Sequence, residues 1–170
     1  MRRRHHETAP RKELDMEPRI DLFANKVTAS YSKRLVTAGK VVDDSGLPKA
    51  VYELVKIRAS QINGCSFCVD MHTKDAAHAG ESQVRINLVA AWREATVFTE
   101  PERAALELTE VATRLADGGG IGEDTWQRVR KHYDDEQIGG LIAAIATINA
   151  WNRINAIAHT PAGSYEPGQF

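Results

Sequence analysis

The stretch from about Gln137 to His159 limits what this chain can fold into more than any other part of it. Its centre reads IGGLIAAIATINAWNRINAIA, apolar on nearly every side when wound as a helix. A helix of that kind is buried all round, either at the centre of a domain or against another subunit. It is a poor membrane span, because Asn149, Asn152, Arg153 and Asn155 interrupt the apolar run from Leu141 to Ala158. No part of the chain alternates at period two for long enough to propose a strand. The expected class is therefore all-α.

The remaining helices follow from the same periodicity. Ile20, Phe23, Val27 and Tyr31 recur at intervals of three and four, which predicts a first amphipathic helix over roughly 17–39, broken at Asp43-Asp44-Ser45-Gly46. A second follows Pro48 with Val51, Val55, Ala59 and Ile62 on one stripe, and Asn63-Gly64 stops it; Gly64 suits the left-handed position that often closes a helix. A third begins at or just after Cys65 and runs to Ala79-Gly80, and a short fourth carries Val84, Leu88 and Trp92. Thr99 with Glu102 forms a capping box for a fifth that ends at Gly118-Gly119-Gly120, and residues 123–132 make a sixth before the long last one. Trp92, Trp126 and Trp151 are expected as core or interface anchors. A single domain over 17–160 is expected, with a frayed N-terminal tail over 1–16 and a loosely held C-terminal tail over 161–170.

Charge excludes one large class of partners. With 22 Lys+Arg against 23 Asp+Glu the net charge is −1, which offers no electrostatic footprint for nucleic acid. The basic cluster Arg2-Arg3-Arg4 belongs to the expected tail, and no apolar segment follows it as a secretory signal would require. Those features point to a cytoplasmic protein, with no membrane partner. In that reducing compartment two close cysteines are more often catalytic or metal-binding than structural.

Both cysteines lie in N-G-C-S-F-C-V-D-M-H, residues 63–72. On a helix Cys65, Cys68 and His72 share one face, a turn apart each. A Cys-X-X-Cys at a helix start favours thiolate and a reversible disulfide, because the first-turn N–H groups and the helix dipole are positive there. Three readings stand side by side: a redox pair with its base, three-quarters of a zinc site with His78 as an awkward fourth ligand, or packing. A thioredoxin-like pair would need a βαβ context, which this chain does not offer.

Glu53 precedes Cys65 by twelve residues, Cys68 follows Cys65 by three, and His72 follows Cys68 by four. This spacing resembles the core motif of the alkylhydroperoxidase D family, within the broader carboxymuconolactone decarboxylase-like group. The resemblance is closest over about residues 50–100, and Asn149-Ala150-Trp151-Asn152-Arg153 looks like the final helix of such proteins. It implies an oligomeric helical bundle of about six to seven helices with thiol-dependent peroxidase activity and neither metal nor other cofactor. Carried over, Cys68 attacks the peroxide, Cys65 is the resolving and partner-facing thiol, and Glu53 and His72 form a proton relay. A dithiol or a protein thiol would then restore the reduced pair. Phe67 stands where the best-known members place a second histidine, a departure that bears on rate and reductant preference. Decarboxylases of the wider group lack the cysteine pair.

By itself Glu53 falls off the apolar stripe of its helix, where a solvated surface carboxylate is the ordinary expectation. The apolar surface of the last helix exceeds what one domain of this size can cover, so a homo-oligomer, a trimer or hexamer, is expected. A disulfide reductase that relays electrons to another peroxidase is the second reading. A zinc-stabilised helical interaction module is the third.

Overall fold

The computed structural model of the chain describes residues 16–169, so residues 1–15 of the expected N-terminal tail lie outside it. Helices follow in the order α1 (Lys26–Gly39), a 3-10 turn (Lys40–Asp44), α2 (Lys49–Asn63), α3 (Ser66–His78), α4 (Gln83–Leu88) running into a second 3-10 turn, α5 (Glu100–Thr113), α6 (Leu115–Gly118), α7 (Glu123–His132) and α8 (Asp135–Ala158). No strand occurs among the described residues, as the periodicity implies. Among the described residues the expected six to seven helices become eight, because a single turn, α6, separates from the end of α5.

The centre of the bundle is α2, which packs against α3, α5 and α8 alike. Val55 belongs to one buried cluster with Leu108, Leu141 and Ile145, while Leu54 and Ile57 belong to another with Ile86, Trp92 and Leu106. Each such fully buried aliphatic side chain contributes about 1.5–3 kcal/mol relative to exposure. Trp92 is buried, and Trp126 and Trp151 are half-buried against these clusters. The long helix α8 is thus flanking rather than central. Ile138, Leu141, Ala144, Ile145 and Ile148 form its buried stripe, and Ile157 on the other side is 72% exposed. Its start is fixed by a reciprocal cap between Asp134 and Gln137, and Gly140 brings it so close to the 3-10 turn that a Cβ there would lie 2.7 Å from that of Ser45.

Three further stretches differ from the sequence expectation. The short fourth helix ends at Leu88, so Trp92 follows the second 3-10 turn instead of sitting on α4. The first helix starts at residue 26 rather than 17. Asp21 accepts hydrogen bonds from the Phe23 and Ala24 amides at 2.8 and 2.9 Å, and Asn25 caps Val27 and Thr28. Such side-chain to backbone bonds offer the chain a turn in place of a helix. The stripe of Ile20, Phe23, Val27 and Tyr31 does not face the core of its own chain; Val27 is 76% exposed. Residues after α8, read as a loosely held tail, are instead tied down on α3. The Gly163 amide donates to Asp70 at 2.8 Å, Lys74 donates to the Gly163 and Tyr165 carbonyls at 3.0 and 2.8 Å, and the buried Tyr165 donates its hydroxyl to Asp75 at 2.8 Å. Polar and glycine content suggested looseness, but partners on α3 outweigh composition.

Candidate active site

The turn between α2 and α3 is built by the residues that end one helix and start the next. Gly64 takes the left-handed conformation at φ 65°, which its missing Cβ makes inexpensive, and the Cys65 amide donates to the Ser60 carbonyl at 3.0 Å. Cys65 is the N-cap of α3, its Sγ accepting from the Cys68 amide at 3.3 Å. The two cysteines are joined as a disulfide with their Cα atoms 5.4 Å apart.

Neither sulfur faces the surface. Cys65 is 2% exposed and Cys68 is 3% exposed, packed with Ala59 and Ile148 beneath Phe67 and Trp151. The expected partner-facing role of Cys65 is therefore corrected: the helix start is an open position in an isolated helix, and here α8 closes it. Asn155 on α8 approaches the Cys68 sulfur at 3.6 Å. A cavity of about 520 Å³ reaches Cys68 but not Cys65, and Phe67, Met71, His72, Lys56 and Tyr165 also line it. Its size is that of a site for a small organic molecule.

Glu53 on α2 and His72 on α3 lie next to each other, two residues that the family resemblance pairs. The Glu53 side chain is 19% exposed and that of His72 is 11%, with His72 Nδ1 3.5 Å from Glu53 Oε2. Glu53 is thus not a solvated carboxylate; leaving the apolar stripe of α2 turns it toward α3. At 3.5 Å the pair is long for a hydrogen bond, and both atoms are buried without a hydrogen-bond partner. The short contact of Glu53 is instead with Lys56, Nζ to Oε1 at 2.7 Å. Burial holds His72 below its ordinary value, with the Lys56 charge adding to the effect and the Glu53 carboxylate opposing it. Burial pushes Glu53 up, but its contacts with His72 and Lys56 outweigh that and leave it below the usual carboxylate range. The resting site is consistently a neutral imidazole beside an ionised carboxylate. Tyr52, beneath Lys56, is pushed up to about 12 by burial and by the charges of Glu53 and Asp43, so it stays protonated.

A polar lattice links this site to α8. Asn63 donates to Asn149 at 3.0 Å and to Asn152 at 2.8 Å, and Asn152 donates to Ser60 at 3.0 Å. Asn152, which interrupts the apolar run of the last helix, thus joins α8 to α2 through hydrogen bonds. Lys56, Asn155 and Tyr165 escaped the sequence reading. Lys56 carried a signal in its position three residues after Glu53, and Asn155 in its place three after Asn152; Tyr165 carried none. His78, the fourth ligand a zinc site would need, is exposed at the far end of α3, and among the described residues no three His, Cys, Asp or Glu side chains gather as a metal site.

Residues 30–111 match the carboxymuconolactone decarboxylase family. The uncharacterized protein YdfG of Bacillus subtilis is 42% identical over 140 residues, covering 82% of this chain and 93% of its own length. The chain belongs to the carboxymuconolactone decarboxylase family. The crystal structure of a protein of unknown function from Agrobacterium tumefaciens, with antioxidant defence as its suggested role, superposes with a TM-score of 0.81. That protein is 38% identical, and the match covers 88% of this chain and all of the other. An alkyl hydroperoxide reductase AhpD of Rhodopseudomonas palustris is 33% identical over 91 residues, about half of each chain. This family member therefore combines the helical bundle with a Cys-X-X-Cys disulfide at the start of α3. No helix among the described residues is long and apolar enough to cross a membrane.

Proposed function

We propose that this protein is a thiol-dependent peroxidase that reduces organic hydroperoxides. The observation that carries the reading is that Cys68, one half of the Cys65–Cys68 pair, lines the cavity together with His72, while Glu53 stands against His72. In the reduced protein neutral His72 takes the Cys68 proton, and Glu53 stabilises the imidazolium that results. The Cys68 thiolate attacks one peroxide oxygen. An S–O bond forms, the O–O bond breaks, and the departing alkoxide takes the proton back from His72. Cys65 then attacks the Cys68 sulfenic acid; the S–S bond forms, the S–O bond breaks, and water leaves. Peroxide gains two electrons and the two thiols lose two.

Similarity to AhpD alkyl hydroperoxide reductases supports the reaction class. The mostly apolar lining of the cavity, with Phe67, Met71, Leu35 and Ile148, supports an organic hydroperoxide as substrate. Burial of both sulfurs counts against the adaptor reading, in which a protein surface must reach Cys65. We also propose a homo-oligomer, supported by the exposed apolar stripe of Phe23, Val27 and Tyr31 and by Ile142 and Ile157 on α8. The reading is tested by mixing reduced protein with cumene hydroperoxide and, separately, with hydrogen peroxide. Stoichiometric disulfide formation with release of cumyl alcohol is expected, and persistence of both thiols would remove it.

A further inference from the structure

We propose that Lys56 is a further member of the relay, a positioning residue whose ammonium anchors the Glu53 carboxylate and presents positive charge to the cavity beside Cys68 and His72. The inference rests on the peroxidase reading above and names a residue that the Glu–Cys–Cys–His spacing does not contain.

Four observations carry it. Lysine is seldom buried without a partner, yet the Lys56 side chain is only 12% exposed. Its position three residues after Glu53 on α2 places both on one helix face, and the 2.7 Å contact is far shorter than the 3.5 Å between Glu53 and His72. Its ammonium lies 4.0 Å from the centre of the Tyr52 ring, so aromatic face and carboxylate fix it from two sides. The cavity is lined by Lys56, His72 and Cys68 and not by Glu53, so the positive charge is the member of the ion pair that meets a ligand.

The other groups around it are mostly anionic or neutral. Tyr52 and Glu53 share α2 with it, and Cys68, His72 and Asp75 lie on α3. Asp43 and Lys40 lie on the 3-10 turn, and Tyr165 comes from the C-terminal segment; all of these except Glu53 line the same cavity. Lys56 is the cation in contact with the relay. An ammonium there favours each anion the reaction makes in turn, first the Cys68 thiolate and then the oxygen that leaves when the O–O bond breaks. It also disfavours protonation of His72 before Cys68 gives up its proton, keeping the base free. The side chain moves no electrons and gains no bond.

The test uses the full-length reduced protein carrying Cys65→Ser, which leaves Cys68 as its one thiol. The rate of alkylation by iodoacetamide is measured from pH 5 to 10, a readout that needs no peroxide. Lys56→Met and Lys56→Gln, which keep much of the stem over Tyr52, should raise the pH midpoint by about one unit, a roughly tenfold loss of reactivity below both midpoints. Lys56→Arg should restore the original midpoint. Unchanged midpoints in folded Met and Gln variants overturn the proposal, and so does an Arg variant that shifts as far as Met. A shifted midpoint in a protein that consumes no peroxide retires the peroxidase reading and keeps Lys56 as the residue that sets the thiol.

Discussion

Replacing Asn152 by alanine tests how α8 holds the cysteine turn. Asn152 is fully buried, accepts from Asn63 at 2.8 Å and donates to Ser60 at 3.0 Å. Its neighbours are not wholly orphaned by the change. Asn63 keeps Asn149 as an acceptor at 3.0 Å, and the Ser60 hydroxyl still donates to the Lys56 carbonyl at 2.7 Å. The loss is then two net hydrogen bonds at about 1 kcal/mol each, with about 1 kcal/mol more for the space the amide leaves. The sum, about 3 kcal/mol, corresponds to a fall in melting temperature of roughly 6–12 °C for a chain of this size. Urea unfolding at one fixed protein concentration measures it. Because the Ser60 carbonyl accepts from the Cys65 amide, hydrogen exchange at Cys65 should quicken in the same variant. A stability within 0.5 kcal/mol of the parent would refute the reasoning, since it would mean that the buried lattice is not what joins α8 to α2.

Acid should destabilise the protein in two stages. His72 and Glu53 both sit below their ordinary values, so on acidification the unfolded chain binds protons at each group before the folded chain does. Stability is full above about pH 6.5, declines as histidine protonates in the unfolded chain, and declines again below about pH 4.3; urea midpoints across that range check it, and a rise on acidification would contradict the assignment of a neutral His72. His72→Ala and Glu53→Gln should each slow the thiol–peroxide step by roughly 10²–10⁴-fold, the range of a lost general base, as read in single-turnover stopped flow. Tyr165→Phe removes the 2.8 Å bond to Asp75 and should lower stability by about 1 kcal/mol in the same urea assay.

Helix order was legible in the sequence because its punctuation is local. Asn63-Gly64 and the Thr99–Glu102 box act within a turn of themselves and end or start a helix where expected, whereas the triple glycine at 118–120 closes the single turn α6, beyond the end of α5 at Thr113. What was misread depends on partners far along the chain. The first helix begins late because Asp21 and Asn25 bind backbone that a periodic pattern treats as helical. The C-terminal segment is ordered by Asp70, Lys74 and Asp75, some ninety residues earlier. Cys65, Cys68 and His72 were found together because one helix carries them, and Glu53 joined through the resemblance rather than through its own helix pattern. That Cys65 would be covered by Trp151 and Ile148 could not be read from its place at a helix start.

The central claim is that Cys68 reacts with peroxide and Cys65 resolves the product, and mass-mapped single turnover with a sulfenate-trapping reagent tests it most directly. Reduced Cys65→Ser protein should consume one equivalent of cumene hydroperoxide and carry the trapped sulfenate on Cys68, while Cys68→Ser protein should not react. A sulfenate on Cys65 of the Cys68→Ser protein, formed at near the parent rate, would contradict the account and reverse the two roles.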